Sequence, residues 1–123
     1  MEDLGPVEYN STDDYPDFVA PAMQNVQKDP GSLGIVLCKN GVGVSMLANK
    51  FKGIRAALCF SPEQAKSSKL DDNANVLAIS TQFLSQEEIP QVVDAFLNTP
   101  FGNAERHLRR LDKVMLVEEE NFK

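Results

Sequence analysis

The stretch Gly34-Ile-Val-Leu-Cys38-Lys-Asn-Gly41-Val-Gly43-Val-Ser-Met-Leu-Ala-Asn-Lys50 predicts a strand, a turn and a helix, in that order. The apolar run at 35–37 is typical of a strand that is buried on both faces, and Cys38 closes it. Gly41 and Gly43 permit a sharp turn and a close approach of the backbone to a ligand. The first helical turn presents free N–H groups, so an anion can bind beside the Cys38 thiol. The alternative is ordinary packing, because cysteine is often only a small buried apolar residue.

Outside this stretch, short apolar runs alternate with helical patterns. Strands are predicted at 53–59 and 76–79. Helices are predicted at 15–28, 44–51, 61–70, 85–97 and 103–115, the last with Leu108, Leu111 and Met115 on its inner side. Strands that alternate with helices favour a parallel sheet connected by right-handed crossovers. We therefore expect an α/β fold with about three visible core strands, in a single domain that covers residues 1–123.

Composition excludes several classes of function. The formal net charge of −6 argues against a general nucleic-acid binder. Cys38 and Cys59 each end an apolar run, which favours free thiols in a reducing compartment over a disulfide framework. The sequence shows neither a secretory leader nor an apolar stretch of the roughly 18 residues that a bilayer span needs. We therefore expect a cytoplasmic protein that does not act on membranes.

The last predicted helix carries a basic stripe. Arg106, Arg109, Arg110 and Lys113 follow the spacing i, i+3, i+4, i+7 and so share one helix face. Guanidinium groups match phosphate oxygens well, but a solvated helix face explains the stripe equally well at this point. His107 is the only histidine, and a lone histidine is more often a surface or capping residue than a catalyst. Two separated cysteines and one histidine lack the spacing of a metal site.

A series of short motifs covers nearly the whole chain. In order, they are Asp3-Leu-Gly5, Asp14-Tyr-Pro16, Gly34-Ile-Val-Leu-Cys38, Gly41-Val-Gly43, Ala48-Asn-Lys50, Gly53-Ile-Arg-Ala-Ala-Leu-Cys59, Asn73-Ala-Asn-Val-Leu77, Asp94-Ala-Phe-Leu97, Thr99-Pro-Phe101 and Arg106-His-Leu-Arg-Arg110. Their joint occurrence resembles the family of ribose-5-phosphate isomerase B and galactose-6-phosphate isomerase. This resemblance implies a three-layer, flavodoxin-like (Rossmann-like) parallel sheet. It also implies an enzyme of the pentose phosphate pathway that isomerises an aldose phosphate to a ketose phosphate, of the ribose-5-phosphate and ribulose-5-phosphate type, through an enediolate.

The resemblance also implies the residues of the site and its partners. Cys38 matches the cysteine that acts as the proton-transfer base in many members, and the adjacent helix N-terminus would promote its thiolate form. The positions implied to bind the phosphorylated sugar are Asn40, Gly41, Gly43, Ser45, Asp72, Arg106 and Arg110. The turn from Gly41 to Ser45 matches a loop whose backbone N–H groups stabilise the enediolate. The two arginines match residues that bind the phosphate, typically across the interface of a homodimer or tetramer. No metal and no organic cofactor is implied.

The sequence departs from the family pattern in several places. It lacks the N-terminal strand-helix-strand unit with an Asp-His pair, so we expect an N-terminally truncated sheet. The family's His-Asn reads Asp71-Asp72, and Gln82 stands where members have a phosphate-binding arginine. The alternatives are therefore a catalytically impaired homologue that binds a phosphosugar or a protein, and a fragment of a longer enzyme. The strand at 34–38 would become an apolar edge, which we expect a partner subunit or the N-terminal segment to cover.

Overall fold

Five helices alternate with three short strands in the computed structural model, which describes residues 1–122. In chain order the elements are α1 (Pro16–Lys28), β1 (Gly34–Cys38), α2 (Val42–Ala48), β2 (Ala56–Leu58), α3 (Pro62–Asp72), β3 (Val76–Ser80), α4 (Glu88–Asn98) and α5 (Glu105–Asn121). This order confirms the predicted α/β class. Across residues 1–122, the helices are all too short or too polar to cross a membrane.

The three strands form one parallel sheet in the order β1-β3-β2. Gly34 lies opposite Val76, and Cys38 lies opposite Ser80. Because all three strands run in the same direction, the sheet has two distinct ends. We call the loops that follow the strands the carboxyl rim, and the loops that precede them the amino rim.

The central strand β3 is buried at every residue, and its side chains alternate between the two faces of the sheet. Val76 and Ala78 belong to an apolar cluster with residues of α1 and α2. Leu77 and Ile79 belong to a second cluster with residues of α3 and α4. The sheet is therefore covered by helices on both faces, which gives the predicted three layers.

Strand β1 differs from its prediction. The apolar run predicted a strand buried on both faces, but the side chain of Leu37 is 50% exposed, because β1 lies at an edge of the sheet. Within residues 1–122, β1 pairs only with β3, and residues 1–15 form no strand beside it. The N-terminal segment therefore adds no strand to this edge, and cover of the edge stays a prediction.

Helix α5 also differs from its prediction. It extends to Asn121 rather than ending near Met115, and it buries no side chain. Leu108 and Met115 were predicted to face inward but are 42% and 52% exposed, because α3 is the main element that packs beside this helix among residues 1–122. Its exposed apolar side chains, which we call the α5 apolar surface, are Leu108, Val114, Met115, Leu116 and Val117.

Side-chain hydrogen bonds cap the starts of two helices. The Ser61 hydroxyl accepts a hydrogen bond from the Gln64 amide at 3.1 Å, and α3 starts at Pro62. Before α4, the Ser85 hydroxyl accepts from the Glu88 amide at 3.1 Å, and the Glu88 carboxylate accepts from the Ser85 amide at 3.1 Å. This reciprocal pair is a capping box, and it fixes where the chain turns from the carboxyl rim into α4.

Candidate active site

The Cys38 thiol lies at the carboxyl rim, at the end of β1, and is partly buried. Its Sγ accepts a hydrogen bond from the Gly41 amide at 3.1 Å. The same Sγ lies 3.6 Å from the side-chain oxygen of Asn40, which also accepts a hydrogen bond from the Val42 amide at 3.0 Å. The loop after β1 is thus folded around the sulfur atom, and the N–H group of Gly41 points toward it.

Gly41 allows this loop to fold so tightly. Its φ of 77° lies in the left-handed region, and it directly precedes α2. A Cβ at this position would lie 2.5 Å from Cδ1 of Leu58 and 3.1 Å from the amide nitrogen of Ser80. The backbone therefore crosses the ends of β2 and β3 at a distance that excludes any side chain.

Hydrogen bonds to the loop after β3 hold the loop after β1, which we call the Cys38 loop, in place. The Lys39 carbonyl accepts from the Gln82 amide at 2.8 Å and from the Ser80 hydroxyl at 2.9 Å. The Cys38 carbonyl accepts from the Thr81 amide at 3.0 Å. The loops after β1 and β3 are thus joined, so the thiol occupies a fixed position.

Ser45, by contrast, has its hydroxyl occupied within α2, where it donates to the Val42 carbonyl at 2.8 Å. Its amide makes a long hydrogen bond of 3.4 Å to the Gly41 carbonyl. Among residues 1–122, no backbone hydrogen bond uses the amides of Gly43 or Val44. The first turn of α2 therefore offers free N–H groups beside the thiol, as the glycine spacing predicts.

Tyr15 is a member of this region that the sequence interpretation missed. It was assigned only to the start of the first helix, whereas its hydroxyl oxygen lies 2.6 Å from the position that a Cβ on Gly43 would take. Tyr15 is 45% exposed, so the residue is not enclosed by the loops around it. The motif Asp14-Tyr-Pro16 carried the signal, but nothing local shows that this ring reaches a loop 28 positions away.

The remaining predicted site residues lie at the amino rim. Asp72 is the last residue of α3, and Asn73, in a left-handed conformation with φ 48°, leads from it to the amino end of β3. Residues 71–73 therefore lie at the opposite end of the sheet from Cys38 within one chain, although the resemblance places Asp72 in the same site as Cys38. A parallel connection has to return the chain to the starting end of the sheet, and α3 makes that return.

The start of α5 is attached to the same rim. The Gly102 amide donates to the Leu70 carbonyl at 3.1 Å, and Nε2 of His107 lies 3.9 Å from a carboxylate oxygen of Asp71. Nδ1 of His107 is buried and finds no partner within residues 1–122. Arg106 and Arg110, on the first turns of α5, are exposed. This rim thus combines two acids, a histidine and two free guanidinium groups.

Within one chain, the length of the sheet separates the predicted site residues at the carboxyl rim from those at the amino rim. Five residues of parallel strand span roughly 13 Å. Asn40, Gly41, Gly43 and Ser45 stay with Cys38 at the carboxyl rim, whereas Asp72, Arg106 and Arg110 lie at the amino rim. Residues 1–122 hold no group of three or more side chains placed to bind a metal ion.

Comparisons with known proteins agree with this architecture. A family model described as Ribose/Galactose Isomerase matches residues 1–114. The probable ribose-5-phosphate isomerase B of Mycoplasma pneumoniae is 45% identical over 118 residues, covering 96% of this chain and 77% of the relative. Ribose-5-phosphate isomerase B of Mycobacterium tuberculosis is 41% identical over 110 residues, covering 89% and 68%. The crystal structure of ribose-5-phosphate isomerase B from Mycoplasma genitalium with bound ribulose-5-phosphate superposes with a TM-score of 0.91 at 44% identity, covering 96% of this chain and 78% of that one.

Proposed function

Because this chain belongs to the ribose/galactose isomerase family, we propose that it interconverts the aldose and ketose forms of a phosphorylated sugar. Relatives at 41% to 45% identity are named ribose-5-phosphate isomerase B. A structural relative was solved with ribulose-5-phosphate bound, which favours the ribose-5-phosphate and ribulose-5-phosphate pair as the substrates of this chain. The observation that carries the proposal is the Cys38 thiol, held at 3.1 Å from the Gly41 amide beside unused amides of α2.

In the proposed reaction Cys38 transfers the proton. As thiolate it removes the proton from C2 of the open-chain aldose, and the C–H electrons form a C1–C2 double bond while the carbonyl oxygen at C1 becomes an enediolate oxygen. The proton of the C2 hydroxyl group passes to the C1 oxygen, the thiol returns its proton to C1, and the oxygen at C2 becomes the new carbonyl. No net oxidation occurs, so the step needs no redox partner.

The first turn of α2 supplies the electrostatic part of this mechanism. The amides of Gly43 and Val44 have no backbone acceptor within residues 1–122, so they can donate to enediolate oxygens as negative charge develops. The Tyr15 hydroxyl, placed against Gly43, adds a donor at the same position. Because the loops after β1 and β3 are joined by hydrogen bonds, these donors are positioned before the substrate arrives.

Arg106 and Arg110 are proposed to bind the substrate phosphate at the carboxyl rim of a second copy. Within one chain the strand length keeps them from the Cys38 loop. A two-fold homodimer that brings the amino rim of one copy to the carboxyl rim of the other would create two complete sites. The α5 apolar surface lies on the helix that carries both arginines, and it supports association along this helix.

A specific observation supports the impaired homologue as the second candidate. Asp71 and Asp72 lie at the same rim as the two arginines, and carboxylates there repel a dianionic phosphate. If this repulsion prevails, the chain binds a phosphosugar weakly and turns it over slowly or not at all.

Paired turnover and binding measurements distinguish the two candidates. We expect conversion of ribose 5-phosphate to ribulose 5-phosphate, followed by the absorbance of the ketose, and saturable binding of the same sugar by calorimetry. Binding without turnover supports the impaired homologue. Absence of both, in a protein whose folding is verified by circular dichroism, contradicts the proposed function.

A further inference from the structure

A cleft at the amino rim has no role in the proposed reaction. It has a volume of about 480 Å³ and lies between the loops that precede β1, β2 and β3. Its lining includes three cationic side chains, Lys52, Arg55 and Lys69, and no carboxylate. In a chain with a net charge of −6, this grouping of cations is a local reversal of the overall charge.

Lys69 is the unusual member of the cleft. Its side chain belongs to α3 and is only 7% exposed, and its Nζ lies 4.8 Å from the centre of the Phe96 ring. Within residues 1–122, Lys69 makes no side-chain hydrogen bond and no ion pair with a carboxylate. The ammonium group of Lys69 thus has a cation–π contact and no carboxylate partner among these residues, so its N–H donors are available to an anion in the cleft. Burial and the nearby Arg55 both lower the pKa of Lys69.

Arg55 is held in position by backbone carbonyls rather than by an acid. Its Nε donates to the Asn73 carbonyl at 2.7 Å, and Nη1 donates to the Gly53 carbonyl at 3.2 Å. The carboxylate that acts on Arg55 is Glu118 of α5, which accepts from the Gly53 amide at 2.9 Å. The guanidinium group of Arg55 is thus oriented in advance, and no carboxylate occupies the donors that face the cleft lining.

Asn75 fixes the loop that precedes β2 and carries Arg55. Its side-chain oxygen accepts from the Arg55 amide at 2.7 Å, and its side-chain nitrogen donates to the Gly53 carbonyl at 2.8 Å. At Gly31 and Gly53, which lie on the wall of the cleft, an added Cβ would meet no atom within 4 Å. The charged end of the cleft is therefore rigid, and its wall leaves room for more than a single ion.

We propose that this cleft binds a small phosphorylated molecule, with its phosphate group between Lys69 and Arg55. A phosphate offers acceptor oxygens to the free donors of both side chains and supplies the carboxylate-like negative charge that Lys69 lacks among residues 1–122. The cleft volume lies in the range of small-molecule sites. The site differs from the Cys38 region in rim and in residues, so it does not depend on the proposed isomerase function.

Calorimetric titration with glycerol 3-phosphate, which has no carbonyl group to isomerise, tests the proposal. We expect wild type and Lys66→Met to bind it equally, because Lys66 is an exposed lysine of the same helix. Lys69→Met keeps the apolar stem and should weaken binding by about tenfold or more, the loss expected for one charge-assisted contact. Unchanged binding by a folded Lys69→Met variant overturns the proposal.

Backbone amide shifts in nuclear magnetic resonance spectra locate the site without a variant. Glycerol 3-phosphate should shift the amides of Gly31, Gly53 and Asn75 in the wild-type protein. Shifts confined to Gly41 and Gly43 overturn the proposal. The double variant Arg106→Gln/Arg110→Gln should retain the binding, and loss of binding in that variant assigns the anion to the other arginines and also overturns it.

Inorganic phosphate, titrated in the same way, distinguishes a free ion from an ester. Tighter binding of glycerol 3-phosphate than of inorganic phosphate supports a phosphorylated molecule as the ligand. Binding of inorganic phosphate alone, with no binding of the ester, overturns it.

Discussion

The two rims of this small sheet are built in different ways. At the carboxyl rim, the backbone forms the site: a left-handed glycine, joined loops and free amides surround one thiol. At the amino rim, long side chains form the sites, and arginines, lysines and acids project from helix ends and loops. Backbone groups can hold a reacting atom at a fixed distance, whereas long side chains can reach a neighbouring molecule. Under the proposed function, this division explains how one chain can carry both halves of an active site without joining them.

The largest expected effect concerns the carboxyl rim. Replacing the proposed base, Cys38→Ala, should lower kcat for ribose 5-phosphate by about 10²- to 10⁴-fold, the usual contribution of a general base. Cys59→Ala is the matched control, because Cys59 is fully buried in the core and burial raises the pKa of its thiol. Steady-state kinetics of both variants check this, and a Cys38→Ala enzyme that retains wild-type kcat would remove the thiol from the mechanism.

The second effect concerns the arginines of the amino rim. The double variant Arg106→Gln/Arg110→Gln should lower kcat/KM by about 100-fold, since each guanidinium loses charge-assisted contacts with the phosphate. Lys113→Gln, one turn further along α5, controls for the loss of helix charge. An equal loss of kcat/KM in the Lys113 variant would contradict phosphate binding by the two arginines.

Co-expression of two inactive chains tests whether the rims cooperate between copies. Chains with Cys38→Ala, combined with chains carrying Arg106→Gln/Arg110→Gln, should recover about a quarter of wild-type activity, because half of the dimers are mixed and each mixed dimer has one intact site. If mixed dimers form and stay inactive, the thiol and the arginines do not serve the same site across an interface.

A smaller effect is expected on the free energy of unfolding when a glycine of either rim is replaced by alanine. Gly41 and Gly53 both have positive φ, 77° and 80°. Alanine at Gly53 meets no atom within 4 Å and should lower the free energy of unfolding by about 1–2 kcal/mol from backbone strain alone. Alanine at Gly41 also meets Leu58 and the backbone of Ser80, which should add about 1–3 kcal/mol. Urea denaturation measures both values, and an equal loss at the two positions would show that the carboxyl rim is not tightly packed.

The smallest effect lies at the capping box that leads from the carboxyl rim into α4. Hydrogen bonds from the Ser85 amide and hydroxyl lower the pKa of the Glu88 carboxyl below its usual value of 4.5. A lowered carboxyl pKa stabilises the fold above the unfolded-state pKa, and this stabilisation is lost as pH falls through the folded-state pKa. The difference in Tm between wild type and Glu88→Gln should therefore be present at pH 7 and shrink below pH 4.5.

Glu87→Gln is the control for this measurement, because the Glu87 side chain makes no capping hydrogen bond. A difference between wild type and Glu88→Gln that stays constant down to pH 3 would mean that the carboxylate does not contribute through its charge.

Local sequence predicted the elements of this fold well where the signal is periodic. The apolar runs at 34–38 and 76–79 became β1 and β3, and the helix predicted at 15–28 became α1, Pro16–Lys28. Features that depend on neighbours in space were not predicted. The exposure of Leu37 follows from the edge position of β1, which the sequence does not encode locally.

The same distinction holds for the candidate site. Cys38 and the glycines of its loop were predicted from adjacent residues, and the structure keeps them together. The rim that carries Asp72 depends on the direction in which α3 returns the chain, and the contact of Tyr15 with Gly43 joins distant segments. Helix α5 continues past Met115 through an acidic segment, where no apolar period marks its end.

That helix has a consequence for handling the protein in solution. Helix α5 orders 17 residues without burying a side chain, and a helix of this length is marginal in water when only its intrinsic propensity supports it. In a dilute, lone chain its amide protons would exchange rapidly with deuterium, whereas a second surface resting on Val114 and Val117 would slow that exchange. The rate of deuterium uptake along α5 therefore measures self-association. The measurement can be made at any protein concentration and needs no substrate.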